Sequence, residues 1–179
     1  MHKNSARPLA MGLIVLGAVT RLIPHPANVV PVGGLSLFAG ARLRGWQAYL
    51  VPLLLMAVSD PLLGGYSFAT PFVYASFLIN VWIGTRLRST ESPWRIGGAA
   101  LIGATQFFVI SNFGTWLGST SFYPHTFAGL MACYVAAIPF FWRTLAGDLF
   151  YTAVFFGLYA LARRVAESRD QSPVGVELR

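Results

Sequence analysis

Val109-Ile-Ser-Asn-Phe-Gly-Thr-Trp116, then Tyr134-Val-Ala-Ala-Ile-Pro-Phe-Phe141 and Arg143, then Gly147-Asp148 opening an aromatic run to Phe156, form the stretch on which the fold turns. Each part is apolar enough to dissolve in lipid, yet each carries a polar or charged side chain. Holding Ser111-Asn112, Arg143 or Asp148 in such surroundings costs several kcal/mol unless a partner or water receives them. A chain that keeps them there is expected to use them.

The rest of the chain has the same character. Of 179 residues, 55% are hydrophobic and 11% charged, with a mean hydropathy of +0.60. A soluble domain carries about 25% charged residues. The composition therefore predicts an all-α integral membrane protein with room for about six spans of roughly 20 residues. Net charge is +7. The cations fall between apolar runs, so the positive-inside rule accounts for them without nucleic acid as a partner. The single Cys133 excludes an internal disulfide.

Apolar runs lie at about 9–23, 28–43, 48–63, 71–87, 97–117, 127–142 and 145–162. The second is rich in Gly and Ala, which lets helix backbones approach closely in lipid. With the N-terminus inside, the basic loops 42–46 and 86–95 fall inside, and the uncharged loops 64–70 and 118–126 fall outside. If 127–142 also spanned, Arg163-Arg164 would lie outside, against the rule. The reading adopted is six transmembrane helices, a short outer-face or re-entrant helix at about 127–142, and cytoplasmic N and C termini. It divides the chain into a cytoplasmic segment 1–8, one membrane domain 9–163 and a polar tail 164–179 expected to be disordered.

On this topology the unusual polar residues gather toward the outer face. Arg21, His25 and Asn28 lie at the outer ends of the first two helices, Asp60 at that of the third. Asn112 and Trp116 lie in the outer half of the fifth, and Arg143, Asp148 and Tyr151 at the start of the last. That distribution predicts a substrate cavity open to the outside. Plainer roles compete: Arg21 as an interfacial snorkeller, Asp60 and Asp148 in ion pairs with Arg21 and Arg143, and Asn112 as polar glue between helices. Asn80 and Gln106 read as packing contacts.

No GxSxG, HExxH or phosphate-cradling glycine loop is present, so no catalytic residue and no enzyme activity is expected. His25, His125 and Cys133 follow no metal-ligand spacing, and neither a metal site nor a cofactor is expected.

Arg21-Leu-Ile-Pro-His-Pro26 and Pro31-Val-Gly-Gly-Leu-Ser-Leu-Phe-Ala-Gly40, with Ile110-Ser-Asn112, Trp116 and Ile138-Pro-Phe140 before the last helix, carry a family likeness over about residues 9–163. They resemble the S components of energy-coupling-factor (ECF) vitamin transporters. The overall pattern is most similar to uncharacterised bacterial six-helix proteins grouped with those components. The resemblance implies a bacterial plasma-membrane protein that captures a small vitamin-like molecule from the outer face. It also implies partnership with a coupling membrane protein and two ATPase subunits. The chain departs from the family where small residues four apart meet the coupling protein: Ile14 lies between Ala10 and Ala18, and Pro8 between Ala6 and Ala10. Beside the resemblance, Arg21 and Arg143 with few acids predict an anionic ligand, and the Phe and Tyr side chains an aromatic one. A corrinoid bound through Cys133 or a histidine is a further option. The competing functions are a ligand-free structural membrane protein and a membrane-embedded enzyme acting on lipid.

Overall fold

Gly33, Gly34 and Gly40 place the second helix at the centre of everything else. In a computed structural model, which describes residues 6–21, 29–119 and 121–170, six helices and no strand occur among the described residues. They are α1 (Ala6–Thr20), α2 (Val32–Arg42), α3 (Gln47–Leu63), α4 (Thr70–Thr85), α5 (Pro93–Gly118) and α6 (Phe127–Asp170). Every residue of α2 from Val32 to Ala41 is buried, and α2 packs against each of the other five helices. Its glycines explain how. A Cβ on Gly40 would overlap the Val81 carbonyl of α4, and one on Gly84 of α4 would overlap the Leu37 carbonyl of α2. The two backbones are in contact, as the small-residue pattern of α2 predicts.

Phe38 of α2 then fills the space toward α6. Its ring meets those of Phe155, Phe156 and Tyr159 at centroid separations of 5.9, 5.4 and 5.7 Å. Beyond them the Arg42 guanidinium lies over Phe156 and Tyr159, at 5.2 and 4.8 Å from the ring centres. Arg88 donates to the carbonyls of Gly40 and Leu43, and Arg163 pairs with Glu91 at 2.5 Å. These contacts collect the basic ends of α2, α4 and α6 and the start of α5 at one pole of the bundle.

The exterior is apolar. Val15, Leu16, Leu54, Val58, Leu101 and Ile102 are all exposed, whereas Ser36, Ser76, Asn80, Asp148 and Thr152 are buried. α5, at 26 residues, extends about 39 Å at 1.5 Å per residue, and α6, at 44, about 66 Å. Both are long and apolar enough to cross a membrane, and only 28% and 33% of their most apolar windows are buried.

α3 runs through Pro61. Proline has no N–H for the carbonyl four residues back. Here that carbonyl, Ala57 O, accepts the Tyr66 hydroxyl at 3.1 Å. Gly64 and Gly65, at φ +135° and +80°, then turn the chain in a backbone region open mainly to glycine.

The expected separate helix at 127–142 is corrected. Residues 127–142 and 145–162 belong to one helix, α6, which continues without a break through Pro139 and Arg143. Arg143 is exposed on its surface, and a proline inside a helix removes one hydrogen bond without ending it. The expected boundary of a disordered tail at 164 also shifts, because α6 extends to Asp170. Residues 1–5 and 171–179 lie outside the described set.

Candidate functional site

The residues expected to form one outer cavity fall into separate groups. Arg21, just past the end of α1, reaches α3: its Nη2 donates to Asp60 Oδ1 at 2.7 Å, and Nη1 contacts Met56 Sδ. Tyr74 of α4 donates its hydroxyl to Asp60 Oδ2 at 2.9 Å. Arg21 and Asp60 are each only 9% exposed. Each charge is met by its opposite, and the triad ties α1, α3 and α4 together. The structural role weighed for this pair is the one observed. The pairing is Arg21 with Asp60, while Arg143 and Asp148 do not pair.

Trp116 and His125 form a second group at the α5–α6 turn. Trp116 Nε1 donates to Pro124 O at 3.0 Å, His125 Nε2 lies 3.2 Å from Trp116 O, and the two rings are 5.2 Å apart. Their interactions close the loop. Tyr151 packs against Phe150 and Phe155 in the aromatic core and lines neither cavity described below. His25 and Asn28 lie outside the described residues.

Among the described residues, the expected Asn112 and Asp148 line two adjoining cavities. A cleft of about 240 Å³ between α5 and α6 is walled by Phe107, Phe108, Ala137, Phe140 and Phe141, with Ser111, Asn112 and Thr144 as its polar members. A smaller cavity of about 100 Å³ lies against it, bounded by Val30, Gly33, Phe77, Phe107, Thr144 and Asp148. Phe107 and Thr144 belong to both. Gly33 of α2 makes the inner cavity possible, since a Cβ there would occupy the position of the Asp148 carboxyl. Among the described residues no hydrogen bond or ion pair reaches Asp148, although it is 96% buried (4% exposed). A buried cluster of Val32, Met56 and Phe77, with Tyr74 and Phe107 at its margin, is touched by Arg21 at Met56 and lines the Asp148 cavity through Phe77.

The hydrogen bonds of the cleft have a common direction. Ser111 Oγ donates to Phe107 O at 2.6 Å, Asn112 Nδ2 to Phe108 O at 2.8 Å, and Thr144 Oγ1 to Phe140 O at 3.1 Å. Ser111 and Thr144 have thereby committed their only hydroxyl hydrogen, and Asn112 one of its two amide hydrogens. What remains toward a guest is mostly acceptor.

Arg143 does not join this site. Five residues from Asp148 on one helix places it about 140° around the axis, and it is exposed while Asp148 is buried. The aromatic wall was only partly legible. Phe140 and Phe141 stood out beside Pro139, but nothing in the sequence singled out Phe77 or Thr144. Asn80 and Gln106 hold α4 to α5, with Gln106 Nε2 donating to Asn80 Oδ1 at 3.0 Å. Among the described residues no cluster of three or more His, Cys, Asp or Glu occurs that could hold a metal ion.

Residues 2–170 match a protein family described as "Family of unknown function (DUF6580)". No curated protein matches the chain, and no solved structure does.

Proposed function

The chain belongs to the DUF6580 family, and we propose that it is a multi-pass membrane protein that captures a small molecule, serving as the substrate-binding component of an ECF-type uptake system. The reading places the six-helix bundle across a bacterial plasma membrane, with both termini on the basic side. The arginines gathered at one pole support that orientation. The apolar exterior supports the lipid environment. α2, with 11 residues, is too short to cross about 30 Å of hydrocarbon unaided and sits wholly inside its neighbours.

The observation that carries a capture function is the pair of adjoining cavities with Asp148 buried at their inner end and, among the described residues, unpartnered. A carboxyl held there without a partner destabilises the fold. A ligand that engages it recovers that free energy, which is a reason for a binding protein to retain it. A purely structural role is favoured by one specific observation, the internally paired charges of the Arg21–Asp60–Tyr74 triad. The same reading leaves Asp148 unaccounted for. An enzyme acting on lipid would need His25 or His125 beside Asp60 or Asp148; His125 contacts Trp116, and His25 lies outside the described residues.

Native mass spectrometry of the full chain, isolated from its own host in mild detergent, tests the proposal. A small molecule bound one per chain, lost on Asp148→Ala, is the expected result. Co-purifying coupling and ATPase subunits would establish the energy source. A bare chain, unchanged after incubation with a vitamin mixture, would overturn capture in favour of the structural reading.

A further inference from the structure

The charge balance of the cleft is the reverse of what the sequence predicts. Arg21 is neutralised by Asp60, and Arg143 is exposed on a different face of α6. Of the other charged or titratable groups on the helices that bound the cavities, Arg42 and Arg163 belong to the basic pole, and Tyr74 is bound to Asp60. Among the described residues, Asp148 is the one formally charged group lining either cavity.

We propose that the Asp148 cavities bind an organic cation, a protonated amine carried on a flat apolar body, with the ammonium at Asp148 and the body among Phe107, Phe108, Phe140 and Phe141. This names the ligand class of the capture function proposed above and rests on it. Three independent features of the site converge. A cation supplies the opposite charge that the buried carboxylate lacks, whereas an anion would set two like charges in low dielectric. Phe77 and Phe107 flank the same small cavity as Asp148, and aromatic faces attract ammonium groups within about 6 Å. Ser111 and Thr144 have given up their hydrogens to helix carbonyls, so they receive N–H donors and offer none to a carboxylate or phosphate guest. The two volumes, about 100 and 240 Å³, divide as such a ligand does, a small head and a larger body.

The test uses three probes of one shape, phenethylammonium, phenethyl alcohol and phenylacetate, titrated calorimetrically into the full chain in lipid nanodiscs. Phenethylammonium is expected to bind about tenfold or more tightly than either of the others, the scale of one well-placed charged contact. Asp148→Asn removes that preference, and Phe77→Leu, at a residue that lines the head cavity and not the larger cleft, weakens phenethylammonium more than phenethyl alcohol. Both variants are checked for native elution and helicity. Equal or tighter binding of phenylacetate, an undiminished preference in Asp148→Asn, or no binding of any probe at millimolar concentration would overturn the inference. The capture reading fails separately. A neutral or anionic molecule found by native mass spectrometry leaves capture standing and removes the cation. A chain isolated bare that still prefers phenethylammonium keeps the cation site and removes uptake.

Discussion

The carboxyl of Asp148 on α6 rests directly over the α-carbon of Gly33 on α2, in the space a side chain at that position would fill. A helix–helix contact and the inner end of a cavity are therefore the same structure. Gly33→Ala must displace either the carboxyl or a helix. Overpacking of this kind destabilises by about 1–3 kcal/mol. The expected outcome is a lower melting temperature in detergent together with loss of bound ligand. A variant that retains both would show that Asp148 has another position open to it.

The Arg21–Asp60 pair makes a different prediction. Removing one member of a buried pair leaves an unmatched charge, at a cost of about 3–5 kcal/mol. Arg21→Met and Asp60→Leu should each be strongly destabilised, and the double variant should recover much of the loss. Thermal unfolding of the four proteins measures the coupling. The double variant is expected to keep its ligand, since neither Arg21 nor Asp60 lines either cavity.

Arg143→Ala should leave ligand retention within about twofold of the parent, the range expected of an exposed side chain that lines neither cavity. Retention measured by equilibrium dialysis against the bound molecule decides it. A tenfold loss would return Arg143 to the site.

The α2–α4 contact predicts that Gly40→Val and Gly84→Val are far more damaging than a comparable change at Gly97 or Gly98. The first two would force a side chain into a facing backbone carbonyl, while the last two have nothing within 4 Å. Yield of monodisperse protein after size exclusion is the measure.

The proposed topology is tested by labelling. With Cys133, the single cysteine, replaced by Ser, new cysteines at Ser67 and Ser121 should react with a membrane-impermeant maleimide added to intact cells. One at Ser89 should react only after permeabilisation. The reverse pattern would invert the orientation.

Much of the helical layout was legible because it depends on local chemistry. The runs at 48–63 and 71–87 fall close to α3 and α4, and the glycines of 28–43 announced a helix packed backbone to backbone. α6 was misread for an equally local reason. Pro139 and Arg143 look like a boundary when each is weighed alone, but a long helix tolerates one missing hydrogen bond and one exposed cation.

The candidate site was legible in its polar members Asn112 and Asp148 and not in its grouping. Asn112 and Asp148 stood out because polar groups are rare in apolar runs. Hydropathy marks such a residue as costly without saying what receives it. Arg21 and Asp60 are 39 positions apart in sequence, and their pairing depends on how α1 and α3 meet.

The sequence by itself determined an all-helical chain with an apolar exterior, basic residues confined to a few turns, and a handful of polar side chains whose burial needs a reason. These follow from composition and period, which act over a few residues at a time. Only the tertiary structure decided that Arg21 is neutralised, that Arg143 faces outward, and that Asp148 lies above Gly33 beside Phe77 and Phe107 with no partner among the described residues. Charge compensation is a property of which helices touch, and it set the sign of the candidate site opposite to the one the arginine-rich composition suggested.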